Sequence, residues 1–322
     1  MSRTTVGVLR GGTSTEYDHS LKTGAAMLEN LPEDRYDVRD IFIDRSGMWH
    51  RRGMPSDPAR ALSQVDVVLN ALHGGVGENG SVQRILERSG IPFAGPRAHA
   101  AALSYNKALA REALMSAGVR MPAAASFTLS EELDTAQMAR EVFARFGPPY
   151  VLKPVAEGGG HGIVIAPSIV ELPHMLADLL ESFGGVVVEQ FINGRESVVA
   201  LIDDFRGEEL YALPPLRVIL PETERILHAG ARETARLMPQ SDFSHAEKQD
   251  LMAIARAAHR ALSMSHFSRA DIMITARGVP YLLEVNATPK LYLGSAMPMM
   301  LESVGSSVRE FLEHQISLAR GS

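Results

Sequence analysis

Asp271-Ile272-Met273-Ile274-Thr275-Ala276-Arg277-Gly278-Val279-Pro280-Tyr281-Leu282-Leu283-Glu284-Val285-Asn286 reads as two strands joined by a tight turn. A turn centred on Arg277-Gly278 sets Asp271 nearly opposite Glu284 across the ladder. Side chains along a strand alternate faces, so Glu284 and Asn286 project to the same side. Three oxygen donors, Asp271, Glu284 and Asn286, therefore converge at one end of the hairpin. Two carboxylates this close repel each other unless a cation lies between them. Oxygen ligands without histidine or sulfur suit magnesium, which normally also keeps waters and phosphate oxygens. Alone, the pattern fits a surface hairpin with solvated acids about as well. Arg269, two residues before Asp271 and on its face, shifts the balance towards phosphoryl or acyl-phosphate chemistry.

Outward from the hairpin, 322 residues are too many for one small core and suit two or three subdomains around a shared cleft. A net charge of −6 argues against nucleic acid as a main partner, while leaving room for a local basic site for a nucleotide. The absence of cysteine removes disulfides, thiolate catalysis and cysteine-based zinc sites, and is compatible with a reducing cytoplasm. The N-terminal MSRTTVGVLRGG is too short an apolar stretch for a signal peptide. No run approaches the ~18 apolar residues of a membrane span. A cytoplasmic protein with no membrane partner is the expectation.

Strands alternate with helices over the first hundred residues: strand 6–9 runs into Arg10-Gly11-Gly12 and a helix, strand 65–72 into His73-Gly74-Gly75, and a short strand covers 91–95. This predicts an α/β protein whose N-terminal subdomain, residues 1–103, holds a doubly wound parallel sheet. Residues 104–185 read as a small α+β central subdomain, with helices 106–117 and 131–146 (the latter capped by Ser130), strands 150–154 and 163–166, and a further helix. Residues 186–322 read as an α+β C-terminal subdomain whose antiparallel sheet contains the hairpin, with strands 186–191 and 197–203 expected to pair. Ser244-x-x-Glu247 predicts a capping box for helix 246–264. The polar stretch 221–242 is too long for a simple connection and is a candidate lid.

Lys153 ends an apolar strand and precedes Glu157-Gly158-Gly159-Gly160-His161-Gly162. Backbone N–H groups of such a loop approach phosphate closely, and a lysine adds point charge. It is not a Walker A loop, and a flexible hairpin with an exposed lysine has the same pattern. Lys107, in Tyr105-Asn106-Lys107, reads more strongly still as a helix-surface lysine. Gly75-x-Gly77-x-x-Gly80 matches a dinucleotide fingerprint, but the required downstream acid is missing, which disfavours an NAD-dependent dehydrogenase.

Taken in order, these segments resemble the D-alanine–D-alanine ligase group of the ATP-grasp superfamily. The resemblance runs through Gly11-Gly12-x-Ser14-x-Glu16 with Ser20, His73-Gly74-x-x-Gly77-Glu78-x-Gly80, Asn106-Lys107, Val151-Leu152-Lys153-Pro154, Glu189 to Glu196, Arg269-x-Asp271, and Glu284-Val285-Asn286-x-x-Pro289 with Ser295 and Pro298. It implies an ATP-grasp fold and an ATP-dependent acid–amino-acid ligase with two magnesium ions, manganese being a substitute, and a homodimer as a candidate assembly. Lys107 and Lys153 would hold ATP phosphates beside Gly159 and Gly160. Glu189 would bind the adenine amino group, with main-chain contacts near Phe191 and Ile192, and Glu196 the ribose. Asp271, Glu284 and Asn286 would hold the metal, and Arg269 would stabilise the acyl phosphate and the tetrahedral intermediate. Glu16 would take the ammonium of the first amino acid, near Ser20 and His73, and Ser295 the carboxylate of the second.

Bland readings stand beside these. Thr13-x-x-Glu16 is itself a capping-box pattern, His73 fits a turn, and Ser295 fits a helix cap. The chain also departs from the group. Gly159-Gly160 replaces a serine pair, and Asn79 an aspartate. Arg225, His228 or Arg232 stands in for a loop lysine, and Lys290-Leu291 replaces Gly-Met. Lys290 puts a cation beside the acceptor pocket, where it would meet an extra carboxylate on the second substrate. The substrates are therefore left open, and a non-catalytic nucleotide-binding regulatory homologue is the competing class.

Overall fold

The computed structural model describes residues 3–132, 134–221, 224–239 and 242–321, without the side chains of Arg232 and Glu233. Strand Thr4–Gly11 pairs in parallel with Tyr36–Ile43 on one side and Val67–Asn70 on the other, and Phe93–Ala94 extends the parallel run. An antiparallel hairpin, Trp49–Arg51 and Met54–Ser56, closes the edge next to Tyr36–Ile43. The N-terminal sheet is thus parallel at its centre with an antiparallel edge that the sequence did not announce. Asn70 ends its strand by accepting from Leu72 N through Oδ1 and donating from Nδ2 to Gly77 O, and the chain turns there into His73. The carboxyl ends of the central strands point at Glu16 and His73, the usual place for a ligand in such sheets.

The central sheet is antiparallel in the order Ala124–Thr128, Gly185–Gln190, Tyr150–Pro154, Val164–Ala166. Its strand Gly185–Gln190 corrects the expectation that 186–191 would pair with 197–203: its partners are Ala124–Thr128 and Tyr150–Pro154. The cause is its alternation. Val186 and Val188 join Leu176, Leu180, Val142, Tyr150 and Leu152 in the core under helices Thr135–Arg145 and Leu172–Phe183. Glu189 leaves this core and lines the cleft. The first of those helices starts four residues later than expected. Asp134, not Ser130, accepts from Gln137 N at 2.8 Å, while Ser130 donates to Glu132 O.

The C-terminal sheet runs Arg236–Met238, Leu216–Ile219, Gly194–Phe205, Phe267–Thr275, Pro280–Asn286, with Glu208–Ala212 also on Gly194–Phe205. Helix His245–Ala261 covers one face and carries the expected capping box: Ser244 accepts from Glu247 N, and Glu247 from Ser244 N. Helix Lys107–Ser116, read from sequence as central, packs Ala110 and Leu114 with Leu251, Ala255 and Leu282 of this part. Helix Val308–Gly321 packs on the first sheet, and its Phe311, Leu312 and Ile316 belong to one core with Val6, Val67 and Leu69 of that sheet and Val198 and Ala200 of the last. That shared core fixes the two sheets around one cleft. The stretch 221–242 contains helix Ala229–Thr234 and strand Arg236–Met238, the latter paired with Leu216–Ile219. Residues 222–223 and 240–241 of that stretch lie outside the described residues. Among the described residues, no helix is long and apolar enough to cross a membrane.

Candidate active site

The hairpin sets Asp271 opposite Glu284 and Arg269 opposite Asn286. It reaches that register by a bulge. Near the turn the ladder pairs Ile274 with Pro280 and Ile272 with Leu282, and then shifts by one residue between Asp271 and Ile272. Without the shift Leu283 would face Asp271 and Glu284 would point into the core. The bulge therefore delivers Glu284 to the acid face, as bulges beside functional sites commonly do. Leu283 becomes part of the apolar lining next to it.

Arg269 Nε and Nη2 donate to the two oxygens of Asp271, both at 2.9 Å. Burial works against the Arg269 charge, but Asp271 outweighs it and holds the guanidinium above its ordinary value. Asn286 Nδ2 lies 3.4 Å from Asp271 Oδ2 and 3.4 Å from Glu284 Oε1, so one amide reaches both carboxylates. Turning that amide over presents Oδ1 to the same point, giving an all-oxygen donor set suited to a hard cation. Among the described residues no cluster of three His, Cys, Asp or Glu is placed to hold a metal. Two carboxylates with one amide are thus the available donors, and they suit magnesium rather than zinc.

Between the central and C-terminal sheets lies a narrow, largely apolar cleft of about 70 Å³, lined by Val151, Lys153, Glu189, Phe191, Ile192, Glu196, Met273, Leu283, Asp271 and Glu284. Lys153 Nζ is 2.6 Å from Glu189 Oε2, and Arg111 Nη1 is 3.4 Å from Glu189 Oε1. Burial disfavours the Lys153 charge, yet Glu189 and Glu284 raise it above its usual value. Glu189 keeps lone pairs for another donor. Burial dominates at Lys107 and lowers it, despite Glu284, and its Nζ donates to Glu157 O. Lys153 is buried in the cleft, and Lys107 is half-buried in an adjoining pocket that Glu284 also lines. Sequence reading missed Arg111, although it lies four residues after Lys107 and so on the same helix face.

A second cavity, of about 590 Å³, opens on the other side of Asp271. Glu16, His19, Lys22, Gly158, Gly159, Arg269, Lys290, Tyr292 and Ser295 line it. Asp271 borders both spaces, so the hairpin is where cleft and cavity meet. Glu16 makes no side-chain cap to its helix, so the capping-box reading of Thr13-x-x-Glu16 does not hold. Its Oε1 is 3.0 Å from Lys290 Nζ. Lys290 thus points at Glu16, where an open cation for a second substrate was expected. Ser295 makes no side-chain cap either; it donates to Lys290 O at 2.7 Å and Tyr292 O at 2.6 Å, which shapes that turn. Ser20 accepts from Gly11 N at 2.8 Å, and His73 Nε2 is 2.7 Å from Thr23 Oγ1. Burial pushes the His73 imidazole down to about 3, so it is neutral at physiological pH. Ser20 and His73 therefore brace the backbone and helix behind Glu16.

Glu78 is buried at a small pocket shared with Lys107 and Glu284, and burial followed by the Glu16 charge pushes its carboxyl up to about 8. The unfolded chain releases that proton near 4.5, whereas the folded chain keeps it until about 8. Stability is therefore lost as pH rises through that window. Glu78→Gln is expected to remove a loss of the order of a few kcal/mol, read as flatter urea-unfolding midpoints between pH 5 and 8.

Family models for the D-ala D-ala ligase C-terminus and N-terminus match residues 114–317 and 52–96. The chain belongs to the D-alanine–D-alanine ligase family. It is 33% identical to a D-alanine–D-alanine ligase of Geobacter sulfurreducens over 97% of this chain and 93% of that one. The VanG D-Ala:D-Ser ligase from Enterococcus faecalis superposes with a TM-score of 0.86 at 25% identity, over 99% of this chain and 100% of that one. A Bacillus anthracis D-alanine–D-alanine ligase complexed with ATP gives 0.79 at 26% identity, over 98% and 97%.

As a member of this ligase family, the chain has the ATP-grasp arrangement of two sheets about a cleft, and its departures acquire a structural reason. A Cβ on Gly159, whose φ is +64°, would stand 2.8 Å from Glu16 Cδ, and one on Gly160 would stand 2.9 Å from Ala229 N. The glycine loop is thus pressed between Glu16 and the 221–242 segment, with Ala229 N donating to Gly160 O at 3.1 Å. A serine pair does not fit that closure. Of the candidate substitutes for the loop lysine, Arg225 stacks over the Phe191 ring at 5.5 Å. His228 pairs with Glu224 at 2.7 Å and caps helix Ala229–Thr234. The Arg232 side chain lies outside the described residues.

Proposed function

We propose that this chain is an ATP- and magnesium-dependent carboxylate–amine ligase that makes a dipeptide-like amide through an acyl phosphate. The observation that carries the reading is the hairpin itself: Asp271 and Glu284 face a cleft with the buried Lys153, Glu284 also faces an adjoining pocket with the half-buried Lys107, and Arg269 and Asp271 face a separate cavity. A nucleotide in the cleft and an acid in the cavity would meet at Asp271. A carboxylate oxygen attacks the γ-phosphorus and ADP leaves; an amine nitrogen then attacks the acyl carbon, phosphate leaves, and the nitrogen loses a proton. Magnesium held by Asp271, Glu284 and Asn286, two ions in all, supplies charge neutralisation on the phosphates, and manganese is a substitute.

Lys107 and Lys153 add positive charge beside the same oxygens, and Gly159 and Gly160 allow close backbone approach. Glu189, Phe191 and Ile192 receive the adenine and Glu196 the ribose. Arg269 faces the oxyanion of the tetrahedral intermediate. Glu16, Lys290 and Ser295 surround the acid and the amine, with Ser20 and His73 behind them. Ile226 and Leu227 line the cleft, and their displacement on nucleotide entry would make residues 221–242 the lid that excludes water from the anhydride. A cytoplasmic enzyme, and a homodimer as its assembly, follow from the same reading.

A regulatory homologue would bind ATP without turnover. Phosphate release on adding ATP, magnesium and pairwise acids and amines, with mass spectrometry of the products, separates the two. ATP-dependent amide formation is the expected result; nucleotide binding without phosphate release overturns the ligase reading.

A further inference from the structure

Every described residue that lines the larger cavity from strands Gly194–Phe205, Leu216–Ile219 and Arg236–Met238, or from helix Ala296–Ser303, is apolar. Val198 and Ala200 stand directly opposite Asp271 and Arg269 across the ladder, on the same face of the sheet. Val218 continues that face on the next strand, and Leu237 stands opposite it on the edge strand. Helix Ala296–Ser303 packs on strand Gly194–Phe205 and supplies Ala296, Met297 and Met300 to the same space. Met297 and Met300 belong to one core with Val198, Ala200 and Val218, so the cavity reaches into that core as a slot. Leu227 and Ala235 of the 221–242 segment also line it. One sheet face thus passes from ionic at the hairpin to apolar a single strand away.

Neighbouring strands lie about 4.8 Å apart, which puts the strand of Val218 about 10 Å and that of Leu237 about 14 Å from the strand of Arg269. An amine nitrogen attacking an acyl carbon held at Arg269 and Asp271 brings its own α-carbon beside Val198 and Ala200. A methyl group there extends only about 1.5 Å and leaves Val218 and Leu237 uncovered. A side chain of roughly four to seven carbons reaches them. Water against these walls has no side-chain partner among the slot's described residues, so an apolar group displaces it favourably. A charged side chain would lose its hydration there without compensation. The opposite wall is ionic: Glu16 Oε1 lies 3.0 Å from Lys290 Nζ. The slot therefore opens on the side of Ser295, where helix Ala296–Ser303 begins.

We propose that the amine joined here is an amino acid with a bulky apolar side chain, of the leucine or phenylalanine class, received by the slot between the C-terminal sheet and helix Ala296–Ser303. The inference rests on the ligase reading above and specifies its acceptor. The acceptor nitrogen bonds to the acyl carbon, phosphate leaves, and the nitrogen loses a proton. Val218, Leu237 and Met300 select the side chain and take no part in that chemistry.

Competition between acceptors tests this whatever residue takes the first place. The full chain with ATP and magnesium chloride is given alanine, serine, leucine and phenylalanine at equal concentrations, in D, L and mixed sets. Tandem mass spectrometry reads the second residue of each dipeptide, and the ratio of products gives the ratio of kcat/KM. Leucine or phenylalanine is expected to exceed alanine in second place at least about tenfold, the lower end of what one methylene is worth in an apolar pocket. Leu237→Trp and Ala235→Phe put a ring into the slot from half-buried positions. Each is expected to lower that ratio at least about tenfold, and Leu237→Met, which keeps the volume, to retain it. The ratio is read within one protein, so a loss of folded enzyme scales both products alike. Alanine or serine preferred in second place, leucine and phenylalanine confined to first place, or a ratio unmoved by both ring variants overturns the inference and leaves the ligase reading standing. No ATP-dependent amide from any set removes both.

Discussion

Arg269→Lys is expected to lower kcat by about 10²–10³-fold while changing ATP affinity less than about threefold, the first figure being the usual cost of losing one oxyanion-stabilising donor. The split follows from where Arg269 stands. It lines the larger cavity and is absent from the lining of the nucleotide cleft, so nucleotide binding has little reason to change. Its two donations to Asp271 at 2.9 Å fix a planar fork against the reacting position. Lysine keeps one positive charge, so Asp271 is not left buried without a counter-ion, and the fold survives. A single ammonium cannot hold Asp271 with two nitrogens and also present a donor to an oxyanion. Calorimetric titration with ATP and steady-state phosphate release measure the two quantities separately. A kcat within threefold of the unmodified chain would remove Arg269 from the chemistry.

Glu284→Gln is the second large effect. It should raise the magnesium concentration for half-maximal activity and cut kcat/KM by about 10²–10⁴-fold, the range that several kcal/mol of lost metal-assisted stabilisation implies. Glutamine is nearly isosteric and still accepts from Asn286, so the bulged hairpin keeps its shape. The charge that leaves has two roles to separate, because Glu284 also helps keep Lys107 and Lys153 protonated. Excess magnesium would partly restore activity if the metal role dominates. Activity that instead recovers on lowering the pH, with no response to magnesium, would assign the loss to the lysines.

The hairpin was legible because its chemistry is local. Asp271, Glu284 and Asn286 lie within one supersecondary unit, and alternation alone places them on one side. Even there the agreement came by another route. A turn centred on Arg277-Gly278 pairs Asp271 with Glu284 directly, whereas the observed ladder reaches that pairing through a bulge. Leu283 was invisible as a cleft residue for that reason. Strand Tyr36–Ile43 was missed because Asp37, Arg39 and Asp40 interrupt its apolar pattern, although Ile41 and Ile43 are buried. Strand Gly185–Gln190 was recognised but assigned to the wrong sheet, since nothing local distinguishes pairing with Tyr150–Pro154 from pairing with the strand that follows.

The pair Glu16–Lys290 was out of reach of any local pattern, because its partners come from opposite ends of the chain. Both were singled out, one as an ammonium acceptor and the other as a free cation for a second substrate. Only the three-dimensional arrangement makes them partners. Ser20 and His73 were read as lying close to the first amino acid, and their side chains bond Gly11 and Thr23, inside the protein.

The most direct test follows the oxygen atoms. With a donor acid that supports turnover, labelled at both carboxylate oxygens with oxygen-18, phosphate released in the presence of ATP, magnesium and an amine is analysed by mass spectrometry. Attack of the carboxylate on the γ-phosphorus requires one label to leave with phosphate and the other to remain in the amide. Unlabelled phosphate, with both labels retained by the acid or its product, would contradict an acyl-phosphate ligase built on the Asp271–Asn286 hairpin.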